Sequence, residues 1–219
     1  MLDIIKDFVF NLDTSLAEVI SSMGYWTYVL LFFIIFSETG LIIMTFLPGD
    51  TLLFAIGAIS AKPDIPLDII LINILLIVAA ITGNMLNYFI GFKYGRAIVQ
   101  SGKMPFFKPS NLATAESFYN RYGATAVILS RFFPIVRSFV PFVAGIGQMN
   151  WLRYMVYNII GAVLWISTIT SAGYFFGDLP FVKDNLTYFI VLLVILPFIP
   201  LIFTKLSQRA DKKKSQEIH

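Results

Sequence analysis

Residues 130–149 read Ser-Arg-Phe-Phe-Pro-Ile-Val-Arg-Ser-Phe-Val-Pro-Phe-Val-Ala-Gly-Ile-Gly-Gln-Met. The stretch is apolar enough to enter a membrane, yet it carries Arg131 and Arg137, two prolines and two glycines. Proline breaks a helix, and an arginine in the bilayer core is costly. A plain spanning helix is therefore excluded. The pattern favours a broken helix whose irregular backbone is buried in protein or lines a cavity.

The composition places the whole chain in a membrane. Of its 219 residues, 58% are hydrophobic and 13% are charged, whereas soluble domains are about 45–50% apolar and about 25% charged. The chain has no cysteine, and its one histidine is the last residue, His219. Disulfides, thiolate chemistry and imidazole bases are therefore excluded. We expect no metal site and no cofactor.

A second charged stretch lies at residues 37–59, where Glu38 and Asp50 stand in apolar surroundings. Glu38-Thr39-Gly40 interrupts the apolar run that begins at residue 25. Pro48 and the glycine after it then separate two apolar arms, each of about half the length of a span. Ten helical residues cover only ~15 Å, whereas the hydrocarbon core is ~30 Å thick. These lengths predict a re-entrant hairpin over residues 25–60. A second hairpin is predicted over 123–149, where Arg131 and Pro134 interrupt the chain.

The remaining apolar stretches are long enough to span. The fold class predicted is an all-α integral membrane protein with two inverted repeats, each a re-entrant helical hairpin plus a transmembrane helix, and an extra C-terminal transmembrane helix. Repeat one covers residues 23–95 and repeat two covers residues 123–177. The predicted spans are residues 69–92, 151–176 and 185–204.

Charge predicts the orientation. The segment 1–22 is an acidic amphipathic helix, whereas the connection 96–122, which contains a further amphipathic helix, is basic. Residues 93–121 hold five basic side chains and one acid, and the tail 205–219 holds five basic side chains and two acids. By the positive-inside tendency, this connection and the C-terminus face the cytoplasm. The basic tail is expected to contact anionic lipids.

The four charges in the two hairpins predict a site. An ionised residue at the bilayer centre costs about 2.5–3.5 kcal/mol, so Glu38, Asp50, Arg131 and Arg137 need mutual pairing, water or a ligand. Buried salt bridges that fix one hairpin against the other are the structural alternative. Arginine is suited to phosphate because its planar fork stays charged and donates several hydrogen bonds. Poorly solvated carboxyl groups are candidates for reversible protonation.

Three polar residues follow in the first predicted span. Asn84, Asn87 and Tyr88 are candidates for lining a cavity beside the charges. Hydrogen bonding between helices is an equally good interpretation of such residues in a membrane helix.

The charged motifs resemble those of one family. Phe36-Ser-Glu-Thr-Gly40, Phe46-Leu-Pro-Gly-Asp50 and Ser130-Arg-Phe-Phe-Pro-Ile-Val-Arg137 are similar to motifs of the DedA family, also called the SNARE-associated or VTT-domain family. The resemblance implies a multi-pass protein of the bacterial cytoplasmic membrane that transports lipid through broken helices. Several members are linked to recycling of undecaprenyl phosphate with dependence on the proton motive force, and others to phospholipid flipping or scrambling.

The resemblance also assigns roles to residues. It implies that Arg131 and Arg137 bind the substrate phosphate and that Glu38 and Asp50 couple its movement to protons. Many relatives have aspartate where this chain has Asn84, which puts a proton-relay role at that position in doubt.

Other functions stay open at this point. They are a phospholipid flippase or scramblase, a proton or ion antiporter, and a scaffold that transports nothing. Ser130-Arg131 echoes an acid phosphatase motif, but Arg137 stands where that motif needs histidine, so the chain is not expected to be an enzyme. The expected partner is a membrane lipid and not a nucleic acid, and an oligomer is compatible with the sequence.

Overall fold

The computed structural model describes residues 23–41, 49–63, 65, 67–101, 109–177 and 179. Within this part of the chain all regular structure is helical and no strand is present. Two helices are long and apolar enough to cross a membrane, Ile69–Val99 and Trp151–Phe176. The prediction of an all-α fold is therefore confirmed for the described residues, and two helices are candidates for the predicted spans. The predicted N-terminal helix (1–22), C-terminal span (185–204) and tail (205–219) lie outside the described residues, as do residues 42–48 of the first hairpin.

Eight α-helices and two short 3₁₀ turns make up the described residues. The turns are Gly123–Thr125 and Ser130–Phe132, on either side of α5. The helices, in chain order, are α1 Trp26–Gly40, α2 Gly49–Ser60, α3 Ile69–Ser101, α4 Pro109–Tyr122, α5 Ala126–Leu129, α6 Pro134–Arg137, α7 Phe139–Ile146 and α8 Trp151–Phe176.

The helix breaks follow local sequence. Pro134 begins α6, and the residue before it, Phe133, is extended with φ −122° and ψ 107°, because proline disfavours helical backbone at the preceding position. Helix α1 continues through Glu38, where the sequence predicted an interruption, and ends at Gly40. Helix α3 extends to Ser101, so residues 96–101, predicted as connection, are helical.

The helices pack in a reciprocal way. Helix α1 packs on α3, α2 packs on α8, and α7 packs on α3. Glycines permit close approaches between these helices: a Cβ at Gly173 would collide with the backbone of Phe54, and a Cβ at Gly145 would collide with the backbone of Tyr88. Small residues that let helix backbones approach are typical of packing in membranes. One apolar cluster joins α1, α2, α3 and α8, and a second surrounds α7.

Candidate functional site

Arg137 binds both acids of the first charged stretch. Its Nη2 atom donates to Glu38 Oε1, and its Nη1 atom donates to Asp50 Oδ1 at 3.2 Å. Asp50 Oδ1 also accepts from Trp165 Nε1 at 2.9 Å. The end of α1, the start of α2 and the end of α6 supply these charges, and the α8 indole lies beside them. The two stretches picked out by sequence therefore meet at one buried site.

A glycine makes room for this ion pair. The Glu38 carboxylate lies where a Cβ on Gly49 would be, so that a larger residue would displace it. Glu38 is fully buried, and among the described residues its Oε2 atom has no hydrogen-bond partner. Gly49, at the start of α2, thus leaves room for the Glu38 carboxylate.

Arg131 occupies a different environment. Its side chain is 1% exposed, and its Nη2 atom donates to Asn158 Oδ1 at 2.7 Å. When the Asn84 amide is oriented to satisfy both of its ends, its oxygen accepts from Arg131 Nη2 at 3.0 Å and its nitrogen donates to the Thr39 carbonyl oxygen at 3.2 Å. Two side-chain amides, rather than a carboxylate, therefore hold this guanidinium.

From the sequence, mutual pairing of the two arginines and two acids was one of the alternatives, beside water or a ligand. The structure instead gives both acids to Arg137, and Arg131 forms no ion pair within the described residues. Its Nε and Nη1 atoms have no hydrogen-bond partner there either. The reason lies in packing, because Arg131 crosses over Gly161 of α8 and so meets Asn158 instead of the acids. Among the described residues this buried positive charge therefore has no ion-pair partner.

The indole of Trp165 touches both cationic centres. The guanidinium carbon of Arg137 lies 5.1 Å from the ring centroid, and that of Arg131 lies 5.8 Å from it. Both distances are within the range of a cation–π interaction. The two arginines therefore lie beside the same aromatic ring, although their polar partners differ.

Of the three predicted cavity-lining residues, only Asn84 contacts an arginine. Asn87 Nδ2 donates to the Ser138 carbonyl oxygen at 2.6 Å, and Tyr88 Oη donates to the Met149 carbonyl oxygen at 2.5 Å. Both of these side chains are buried and tie α3 to the backbone on either side of α7. Their contacts match the interpretation as hydrogen bonds between helices.

Two residues of the site were not selected from sequence as functional. These residues are Asn158 and Trp165. A signal was present for Asn158, since an amide inside an apolar span usually faces the protein interior. Its spacing of seven residues from Trp165 places both on one helix face. Among the described residues, no three His, Cys, Asp or Glu side chains lie together as metal ligands.

Comparison with known proteins identifies relatives along most of the chain. The VTT domain family matches residues 47–175. Protein DedA of Escherichia coli strain K12 is 42% identical over 194 residues, which cover 89% of each chain. Inner membrane protein YghB of the same strain is 32% identical over 170 residues, covering 78% of this chain and 77% of the relative.

A further relative is a mycobacterial protein. The uncharacterized membrane protein Rv0364 of Mycobacterium tuberculosis strain H37Rv is 37% identical over 167 residues, covering 76% of this chain and 73% of the relative. No solved structure matches the chain significantly. The alignment with Protein DedA is long enough to include both charged stretches, whereas the VTT match begins at residue 47. The names of YghB and Rv0364 describe membrane proteins.

Proposed function

We propose, from the premise that this chain belongs to the DedA family of VTT-domain membrane proteins, that it moves a phosphate-bearing lipid across the bacterial cytoplasmic membrane. The observation that carries the proposal is Arg131, a buried guanidinium without an ion-pair partner among the described residues. A buried unpaired charge is strongly unfavourable. An anionic headgroup would remove that cost, and phosphate matches guanidinium donors in geometry and charge.

The two arginines take different roles in this proposal. Arg131 receives the phosphate first, because no carboxylate of the described residues forms an ion pair with it. Arg137 is held by Glu38 and Asp50 and becomes available when one of these carboxyl groups takes up a proton. Coupling to protons then follows from competition between carboxylate and phosphate for the same guanidinium.

The packing of the helices supports a transporter architecture of inverted repeats. Helix α2 of the first repeat packs on span α8 of the second, and α7 of the second repeat packs on span α3 of the first. Such an exchange is what two repeats of opposite orientation produce when their broken helices meet near the midplane. The headgroup would cross at that meeting point while the lipid tail stays in the bilayer. The lipid we favour is undecaprenyl phosphate, which several members of the family are linked to recycling.

Lipid binding by purified protein tests the proposal. Wild type, Arg131→Gln and Arg153→Gln are compared by native mass spectrometry of co-purifying lipids and by titration with farnesyl phosphate, a short polyprenyl phosphate. Arg153 is an exposed arginine of α8, so its replacement is the matched control. We expect Arg131→Gln to lose the phosphate lipid and Arg153→Gln to retain it. Equal binding by all three proteins would contradict the proposal.

One observation favours a second candidate, a proton or ion antiporter. Glu38 and Asp50 share a single arginine, an arrangement that also suits binding and release of a cation. Ion flux into proteoliposomes without a lipid substrate, abolished in Glu38→Gln, would select this function. Competition between farnesyl phosphate and a phospholipid in the binding assay separates a polyprenyl phosphate carrier from a phospholipid flippase or scramblase.

A further inference from the structure

We propose that Trp165 is a positioning residue that joins the two arginines into a single headgroup site. The inference rests on the proposed function, since it concerns the same phosphate. Trp165 is fully buried. The guanidinium carbons of Arg131 and Arg137 lie 5.8 Å and 5.1 Å from the centroid of its ring. Its N–H donates to Asp50 Oδ1 at 2.9 Å.

Helix α8 explains why the indole reaches both arginines. Asn158, Gly161 and Trp165 follow one another at spacings of three and four residues, which places them on one face of the helix. A Cβ at Gly161 would lie 3.1 Å from both Cδ and Nε of Arg131, so this glycine lets the arginine cross closely. The guanidinium then reaches the Asn158 amide, and the indole lies one turn further along α8.

The chemistry of the indole suits this position better than that of any other side chain. Tryptophan has the aromatic face that attracts cations most strongly, and its ring nitrogen is a donor only. A buried indole N–H usually finds an acceptor, and here the acceptor is an acid that also binds Arg137. Phenylalanine would keep an aromatic face but lose the donor. Leucine would lose both.

The contacts of Trp165 link events at the two arginines. If Asp50 loses its indole donor, its negative charge rests on Arg137 alone, which leaves Arg137 less free to bind phosphate. If the ring is removed, both guanidinium groups lose the surface that fixes their separation. A phosphate held by both arginines depends on that separation, because directional hydrogen bonds weaken quickly with misalignment.

Fluorescence and affinity together test the inference. The chain has three tryptophans, so Trp26→Phe with Trp151→Phe leaves Trp165 as the single reporter. We expect farnesyl phosphate to change its emission, with saturation at the concentration at which calorimetry shows binding, and farnesol, which lacks the phosphate, to leave it unchanged. If the double variant folds poorly, the emission of Trp165 is obtained instead by subtracting the emission spectrum of Trp165→Phe from that of the wild type.

Affinity separates positioning from packing. We expect Trp165→Phe to bind farnesyl phosphate about tenfold more weakly than wild type and Trp165→Leu about a hundredfold more weakly. Trp151→Phe, which keeps an aromatic ring beside Phe89, should bind as wild type does. If Trp165→Leu does not elute as a monodisperse protein, the affinity of Trp165→Phe alone provides the test.

The outcomes separate the two proposals. If the wild type binds no farnesyl phosphate, the proposed function fails. If the wild type binds it but the emission of Trp165 does not change, or the Trp165 variants bind as the wild type does, this inference fails while the proposed function stands.

Discussion

Replacing Asn158 by aspartate should close the site with an internal anion. The substitution keeps the shape of the side chain, and the oxygen at the Oδ1 position, which now accepts from Arg131 Nη2 at 2.7 Å, becomes part of a negatively charged carboxylate. Arg131 would then have the ion-pair partner that it lacks among the described residues. We expect Asn158→Asp to fold and to lose phosphate-lipid binding.

The size of the loss follows from the charge that is neutralised. Two unit charges about 4 Å apart interact by about 4 kcal/mol at an effective dielectric constant near 20. Each ~1.4 kcal/mol changes a dissociation constant tenfold, so cancelling the charge of Arg131 should weaken phosphate binding about a thousandfold. The protein should still fold, because the new ion pair offsets the loss of the hydrogen bond that Asn158 Nδ2 now donates to the Ile81 carbonyl oxygen at 3.1 Å.

Calorimetric titration of farnesyl phosphate into detergent-purified protein measures this effect, with circular dichroism to compare helix content and thermal unfolding. Asn73→Asp is the matched control. Asn73 lies on α3, seven residues or about 10 Å along the helix axis before Ala80, whose carbonyl oxygen lies 3.4 Å from Arg131 Nη2. At about 10 Å and the same dielectric constant the added charge contributes about 1.7 kcal/mol, so Asn73→Asp should weaken binding by no more than about 15-fold. Wild-type affinity in Asn158→Asp would refute the assignment of Arg131 as the phosphate receptor.

Two further predictions concern stability. Arg137→Gln should lower the free energy of unfolding by about 3–5 kcal/mol, because Glu38 and Asp50 lose the partner of a buried ion pair; thermal unfolding in detergent measures this, and an unchanged midpoint would argue against the pairing. Gly173→Ala should lower it by about 1–3 kcal/mol, because the new Cβ collides with the backbone of α2. Gly147→Ala, at the exposed end of α7 where the nearest atom is 3.3 Å away, should unfold at the wild-type temperature in the same assay.

Local sequence was sufficient to predict the two long spans and the break before α6. Apolar length gave the spans that begin at residues 69 and 151, because bilayer thickness fixes how many residues a span needs. Proline gave the break before α6, because its ring restricts the preceding residue whatever the tertiary structure. The bounds were less accurate, since α1 runs through Glu38 and α3 runs beyond residue 92.

The partners of the two arginines could not be predicted in the same way. Sequence placed Glu38, Asp50, Arg131 and Arg137 in one site because each charge is costly in lipid unless compensated. It could not tell which acid meets which arginine, since that depends on how α6 and α8 are rotated against α1 and α2. The amide of Asn158 competes for Arg131 only because Gly161 lets the arginine cross α8 there.

The unequal division of the acids explains why a phosphate carrier built on this site would be linked to protons. With both carboxyl groups ionised, the charges of the two acids and the two arginines cancel. They are unevenly placed, however, because Glu38 and Asp50 both bind Arg137, whereas Arg131 has no ion-pair partner among the described residues. A phosphate that binds at Arg131 supplies the negative charge that is missing there. It also gives the four residues and their ligand a net negative charge, which is unfavourable in a medium of low dielectric constant. Uptake of a proton by Glu38 or Asp50 restores neutrality and at the same time loosens the hold of the acids on Arg137. The second arginine thereby becomes available to the phosphate only when a proton accompanies it.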